Sequence, residues 1–248
     1  MGNIALITST IAPDPGVVSL KRINVADRLA DYIGAFGFYC ECLQKDVFQK
    51  LVYVDNSGYS LDALVSIARQ RGLAARIEFI SYKSTLSPKN GRFYLELNLI
   101  DYAVKNSVTL KESGADLIWK VTGRYLIKNI KAILAACRPF ERDFYVNCRN
   151  FPAGWADFYL VGFNLAAYHK VFAANLHLYE GNVNGEVILR SYLESGNASG
   201  VNILRRLPRV PRIIGVRGYD GASYGGLVDS GKYYVRSVLN ALLPRLWI

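Results

Sequence analysis

The chain is poor in histidine and cysteine and has no long apolar run, and each shortage closes off a class of function. Among 248 residues there are two histidines and four cysteines, Cys40, Cys42, Cys137 and Cys148. Their spacings match no zinc pattern, and a strand would send the thiols of Cys40 and Cys42 to opposite faces. The cysteines therefore read as small buried hydrophobes in a reducing cytoplasm. His169 and His177 lack a third ligand and read as structural or surface residues. No apolar stretch approaches the roughly 18 residues that a membrane span needs. The opening Asn3–Thr8 stretch is too short for a signal peptide and lacks its basic start. Internal repeats, low-complexity tracts and interdomain linkers are missing too. The expected location is the cytoplasm, soluble or peripheral on the inner face of the membrane.

What is present describes one globular domain with a core of its own: 51% hydrophobic and 12% aromatic residues exclude intrinsic disorder. Lys and Arg number 30 against 20 acids, a net charge of +10. That balance suits an anionic partner, whether a phosphate ligand, a nucleic acid or an anionic membrane face. Nucleic acid has no support, since no helix-turn-helix, aromatic ribonucleoprotein motif or basic region occurs. Nothing in the pattern specifies an oligomeric state.

The first half alternates strands and helices. Strands are expected at Ile4–Thr8, Leu51–Val54, Ile77–Ile80 and Leu117–Val121, and helices over 22–43, Leu61–Arg71 and 92–106. That order predicts an α/β fold with a mostly parallel central sheet flanked by helices. The second half is less regular. Strands are expected at Asp143–Val146 and Phe158–Val161, helices over 163–174, Glu186–Leu193 and 232–243, and loop over most of 205–226.

Ligands of open parallel sheets bind beyond the carboxyl ends of the strands. That rule nominates Thr8-Ser9-Thr10, Asp55-Asn56-Ser57, the loop entering Arg92, and Thr122-Gly123-Arg124-Tyr125. Glycine lets backbone approach a ligand closely, and the arginine fork matches phosphate oxygens.

Ile4–Pro13, Arg28-Leu-Ala-Asp31-Tyr32, Asp55-Asn-Ser-Gly58 and Lys120-Val-Thr-Gly-Arg-Tyr125 occur in that order. The series resembles bacterial GT-A-type glycosyltransferases of capsule and lipopolysaccharide O-chain synthesis, over roughly residues 3–195. The resemblance implies a GT-A-like, Rossmann-like sheet in a single domain over 1–248. Its nucleotide-sugar half would cover 1–130, its acceptor half 131–231, and an amphipathic C-terminal helix 232–248. It implies a nucleotide-sugar donor and a glycan or lipid-linked glycan acceptor.

One departure stands out. Most such enzymes hold a manganese or magnesium ion with Asp-x-Asp at the end of the fourth strand, and this chain has no Asp-x-Asp. No metal ligand is assigned, and no cofactor is implied beyond the donor. Lys120 or Arg124 would take the metal's part against the leaving diphosphate, Arg124 being preferred because Lys120 shares a strand face with Thr122. Thr8, Ser9 and Thr10 would line the nucleotide, with Asn56 and Ser57 beside them and Asp55 accepting from a base or ribose hydroxyl. Arg92 would reach the base or phosphate, with Glu96 a turn away; the pair also reads as an ordinary i,i+4 surface pair. Arg217, among glycines, would close over the diphosphate. For the general base the candidates are Glu186 and Glu180, with Asp157 better placed to bind a sugar hydroxyl. Glu186 also reads as an acid favoured by a helix N-terminus. The late basic stretch and the Leu246-Trp247-Ile248 end would rest on anionic lipid. The other reading is a catalytically inactive GT-A-like module that binds a nucleotide or a partner. A nucleotidyltransferase would need a Gly-rich loop after the first strand, where this chain is Pro-rich.

Overall fold

The computed structural model describes residues 2–17, 20–113, 116–151, 153–181 and 184–243. In chain order the elements are β1 (Asn3–Ser9), α1 (Val25–Gln44), β2 (Lys50–Asp55), α2 (Asp62–Gln70), β3 (Ile77–Ser81), α3 (Arg92–Asn106), α4 (Val108–Lys111), β4 (Leu117–Thr122), β5 (Leu126–Ile127) and α5 (Ile130–Cys137). They continue with β6 (Phe144–Arg149), β7 (Trp155–Phe163), α6 (Leu165–Val171), α7 (Gly185–Glu194), β8 (Ile203–Leu204), β9 (Ile213–Val216), β10 (Ser223–Tyr224) and α8 (Leu227–Leu242).

Seven strands form one sheet in the order β3-β2-β1-β4-β7-β6-β8. The β3-β2-β1-β4 block is parallel throughout, β7 is antiparallel to both β4 and β6, and β8 returns parallel to β6. This is the expected α/β class with a mostly parallel sheet.

Alternation of side chains divides the core between the two faces. Ala5, Ile7, Tyr53, Trp119 and Val121 pack with α1, α2 and α5, whereas Ile4, Leu6, Val52, Val54 and Ile118 pack with α3, α6 and α7. The four cysteines are buried as free thiols. Among the described residues, no helix is long and apolar enough to cross a membrane.

Several boundaries differ from expectation. α1 starts at Val25 rather than 22 because the Asn24 side chain accepts from the Asp27 amide and caps it. The helix expected over 163–174 stops at Val171 and gives way to 3-10 turns over Ala173–Tyr179. α5 was not anticipated: Ile130, Ile133, Leu134 and Cys137 are all buried, so it shows little polar stripe. The 205–226 stretch is mostly loop, as expected, but it carries the two short strands β9 and β10, and β9 pairs antiparallel with both β5 and β10. α8 begins at Leu227, ahead of the expected 232. The Leu246-Trp247-Ile248 end lies outside the described residues.

Candidate functional site

β1, β2 and β4 run parallel and end at one edge of the sheet, at Ser9, Asp55 and Thr122. β6 ends at Arg149 on this edge and β7, running the other way, begins there at Trp155. A cavity of about 820 Å³ opens along the edge, and α3, α7, α8 and β9–β10 supply its other walls. Among the described residues nine cationic side chains and five carboxylates line it, so its interior is basic.

On the β1–β2 side, Thr8, Ser9, Thr10, Asn56 and Ser57 face the cavity, but Asp55 does not. Asp55 is fully buried, and its carboxylate accepts from Ser9 Oγ at 2.8 Å, the Ile11 amide at 2.9 Å and the Ser57 amide at 2.8 Å. The expected contact with a base or ribose hydroxyl is therefore corrected: Asp55 clamps two strand-end loops together. Thr10 Oγ1 donates to Asn56 Oδ1 at 2.7 Å across the same seam. Arg28, buried in α1, donates to the Thr10 carbonyl and to the Arg22 carbonyl at 3.0 Å. It also lines the cavity.

At the end of β4, Gly123 is a packing glycine. A Cβ there would lie 2.6 Å from the Thr8 carbonyl oxygen and 2.8 Å from the Ile7 side chain, so only glycine lets β4 leave the sheet beside β1. Gly123 does not itself line the cavity. Lys120 is also withdrawn. Its side chain is 0% exposed, and Nζ meets Glu96 Oε1 at 2.6 Å, Thr122 Oγ1 at 3.0 Å and the Phe158 carbonyl. The same Nζ lies 4.1 Å from the centre of the Phe158 ring. Burial lowers the Lys120 pKa and Glu96 opposes that fall. Lys120 is thus an internal cation neutralised by Glu96, and the expected contact with a diphosphate is corrected. Glu96 faces the cavity, and Thr8 Oγ1 donates to its Oε1 at 2.9 Å. Its Oε2 has no partner among the described residues, and the simple Arg92–Glu96 surface pair does not form.

Arg124, Tyr125 and Thr122 line the cavity. Arg124 Nη1 donates to the Val216 carbonyl at 2.9 Å, while its buried Nε has no partner among the described residues. The β9–β10 segment is held from the other side by the amides of Lys21 and Arg22, which donate to the Gly218 carbonyl at 3.0 and 3.1 Å. On this segment Tyr219 is stacked by two cations, Arg92 at 5.2 Å and Arg217 at 5.3 Å. Arg217 is paired with Asp220 at 2.8 Å, yet its Nε is buried without a partner among the described residues. Arg92, Arg124 and Arg217 thus converge on one wall above the strand ends.

The opposite wall belongs to β6, β7 and the helices. Asp157 faces the cavity but is consumed: it accepts from Arg149 Nε at 2.7 Å, Asn147 Nδ2 at 2.8 Å, Trp155 Nε1 at 3.0 Å and Tyr159 OH at 3.0 Å. Its placement makes it the organiser of that wall rather than a free acceptor for a sugar hydroxyl. Glu180 lies outside the cavity lining and accepts from Asn90 Nδ2 at 2.6 Å, which removes it as a base at this site. Glu186, in the first turn of α7, opens into the cavity and accepts from the Phe158 amide at 3.3 Å. Burial pushes its pKa up to about 7, with Asp157 and Glu96 adding repulsion and Lys120 opposing them. The helix N-terminus favours the carboxylate, but the surrounding protein outweighs it.

Gly185 sets this position. A Cβ on it would lie 2.2 Å from Cγ of Phe93, in the first turn of α3. Gly185→Ala should cost about 1–3 kcal/mol through overpacking and shift Glu186 away from the cavity. A thermal melt read beside the Glu186 titration checks both effects, and an unchanged melt would show that α7 can slide freely.

Among the described residues no three His, Cys, Asp or Glu groups gather as a metal cluster, and of the cavity's acids Glu96 and Asp157 are tied to Lys120 and Arg149. Sequence reasoning missed Arg28, Tyr32, Arg149, Trp155, Tyr159 and Arg236 as cavity residues. The alternation of Trp155, Asp157 and Tyr159 along β7, which puts all three on one face, was the available signal.

No protein-family model matches the chain, and no curated protein does either. Solved structures of low similarity do. A candidate nucleotide-diphospho-sugar transferase from Desulfovibrio desulfuricans is 14% identical, with 82% of this chain and 78% of that chain covered and a TM-score of 0.43. A nucleoside-diphosphate-sugar pyrophosphorylase from Vibrio cholerae is 10% identical, with 93% and 98% covered and a TM-score of 0.46. A galactosyltransferase crystallised with donor and acceptor sugar analogues is 12% identical, with 73% and 72% covered and a TM-score of 0.39. At that distance no residue correspondence follows, and the roles of the cavity residues rest on their geometry in this chain.

Proposed function

We propose that the protein transfers a sugar from a nucleotide-sugar donor to a glycan or lipid-linked glycan acceptor of a bacterial surface polysaccharide, at the inner face of the membrane. The observation that carries this reading is a basic cavity at the carboxyl edge of β1, β2 and β4 into which the Glu186 carboxyl faces without an ion pair among the described residues. Polar strand ends and a wall of arginines suit a nucleoside diphosphate. Glu186 suits an inverting displacement. Its carboxylate takes the proton of the acceptor hydroxyl as the oxygen bonds to the anomeric carbon, and the electron pair of the broken bond leaves on the diphosphate.

Arg124, Arg217 and Arg92 offset the charge that develops on that leaving group. Fixed cations in this position stand where most GT-A enzymes use a metal, and the absence of Asp-x-Asp supports a metal-independent reaction.

Titration of UDP, GDP and CMP, first with EDTA and then with manganese, tests the reading. Binding in EDTA is expected, and Arg124→Ala should weaken it by about 10–100-fold, the worth of a charge-assisted contact. Binding that appears only with manganese would overturn metal independence. Binding without turnover of any nucleotide-sugar, hydrolysis included, would favour the inactive module.

A further inference from the structure

Five residues of α8 line the cavity, Asp229, Ser230, Lys232, Tyr233 and Arg236, and Asp229, Lys232, Tyr233 and Arg236 have the spacing of one helical face. Arg236 is the notable member. It is half-buried, and it makes no hydrogen bond or ion pair with any described residue. Its guanidinium stands within repulsive range of Arg149, while Tyr159, Asp157 and Tyr224 are its other charged or titratable neighbours. Asp157 does not serve it as a counter-ion, because its oxygens already take Arg149, Asn147, Trp155 and Tyr159. Lys232 lies one turn before Arg236, exposed at the same opening and likewise unpaired among the described residues. Like charges four residues apart weaken a helix, and a half-buried cation without a partner is costly. Two such cations held open on a cavity wall are poised for an anion.

The position of that anion follows from Glu186. Glu186, on the wall of β7 and α7, has Asp157 beside it and feels Glu96 and Lys120 at the strand ends. Arg92, Arg124 and Arg217 serve the first wall; Arg236 neighbours Arg149, Asp157 and Tyr159 of the second, with Lys232 one turn before it on α8 and Tyr224 between it and Arg217. We propose that Arg236 and Lys232, beside Arg149 and the rings of Trp155 and Tyr159, form an anion subsite for the acceptor, so that the acceptor sugar carries a carboxylate or a phosphate. The inference rests on the glycosyl-transfer reading for the word acceptor; the subsite itself rests on the unpaired cations. Trp155 and Tyr159 supply ring surface for the sugar, and the cations fix which end of it faces Glu186.

Calorimetric titration of the full chain, saturated with whichever nucleoside diphosphate binds best, tests this. The probes are methyl β-glucuronide, glucose 1-phosphate and the neutral methyl β-glucoside. An acidic sugar should bind at least about tenfold more tightly than the glucoside, the effect of one charge-assisted contact. The glucuronide and the phosphate arms tell a carboxylate subsite from a phosphate one. Arg236→Met should abolish the preference and Arg236→Lys should keep most of it, with nucleotide affinity unchanged in both. Lys232→Ala, at an exposed position, should halve or better reduce the preference without altering the melt.

Equal binding of acidic and neutral sugars, or no sugar binding, overturns the subsite. So does an Arg236→Met variant that loses nucleotide affinity, because the cation then belongs to the donor. If no nucleotide binds, the titrations are run on the free protein: a retained acidic preference lost in Arg236→Met supports the subsite while the glycosyl-transfer reading fails.

Discussion

Replacing Glu186 by glutamine should lower turnover by about 10²–10⁴-fold, the usual worth of a general base, and leave nucleoside diphosphate affinity in place. The amide keeps the size of the side chain but takes no proton. Because burial and the repulsion of Asp157 push the Glu186 pKa up to about 7, well above its ordinary 4.5, the wild-type rate should climb with pH to about 7 and then level off. The residual rate of the variant should lack that limb. Stability should show the opposite slope. The folded state binds the extra proton between 4.5 and about 7, so wild-type stability is full below that window and declines as pH rises through it. Glu186→Gln lacks the decline and should melt higher than wild type at pH 8. Undiminished turnover in Glu186→Gln would remove it from the reaction.

The largest effect on stability is expected at Glu96. Lys120 is 0% exposed and Glu96 is its only carboxylate partner among the described residues. Glu96→Ala therefore strands a buried charge, a change that costs about 3–5 kcal/mol. The deficit should shrink at alkaline pH. Lys120 already has a lowered pKa in the folded protein, and loss of Glu96 lowers it further, so the unfolded chain holds more protons over a wider window. Stability of the variant thus rises with pH more steeply than that of wild type. Adding Lys120→Met should restore most of the loss, since it removes the stranded charge. Denaturant melts of the two single variants and the double variant at pH 7 and 9.5 decide it; a double variant no better than Glu96→Ala would mean that Glu96 matters through Thr8 and Thr122 instead.

The sequence made the parallel half of the fold legible because its signals are local. Leu97, Ile100 and Val104 recur at helical spacing, and α3 covers Arg92–Asn106 as expected. Apolar runs at Ile4, Leu51 and Leu117 name buried parallel strands, and the strand-end rule then points to the edge where the cavity opens. β9 and β10 were hidden because their partners are distant: Ile213 and Ile214 pair with Ile127 and Leu126, a contact that no window of sequence contains. The site was legible at the level of segments and less so at the level of side chains. Thr8, Arg92, Arg124, Arg217 and Glu186 do converge, but which charge is spent internally could not be read from spacing. Asp55 and Lys120 look like ligands at strand ends, and only the fold reveals Ser57 beneath the one and Glu96 against the other.

The rim of the cavity joins distant parts of the chain: Lys21 and Arg22 hold Gly218, and Arg124 holds Val216. This has a consequence for synthesis on the ribosome. At roughly 5–20 residues per second, emerging from the N-terminus, the strands β1 to β4 are delivered well before the residues that roof them. A nascent chain can thus assemble β1 to β4 while their strand ends are still open to water, and the cavity closes only when Ile213–Arg236 arrive. A product cut short before that segment keeps the strand ends but not the roof.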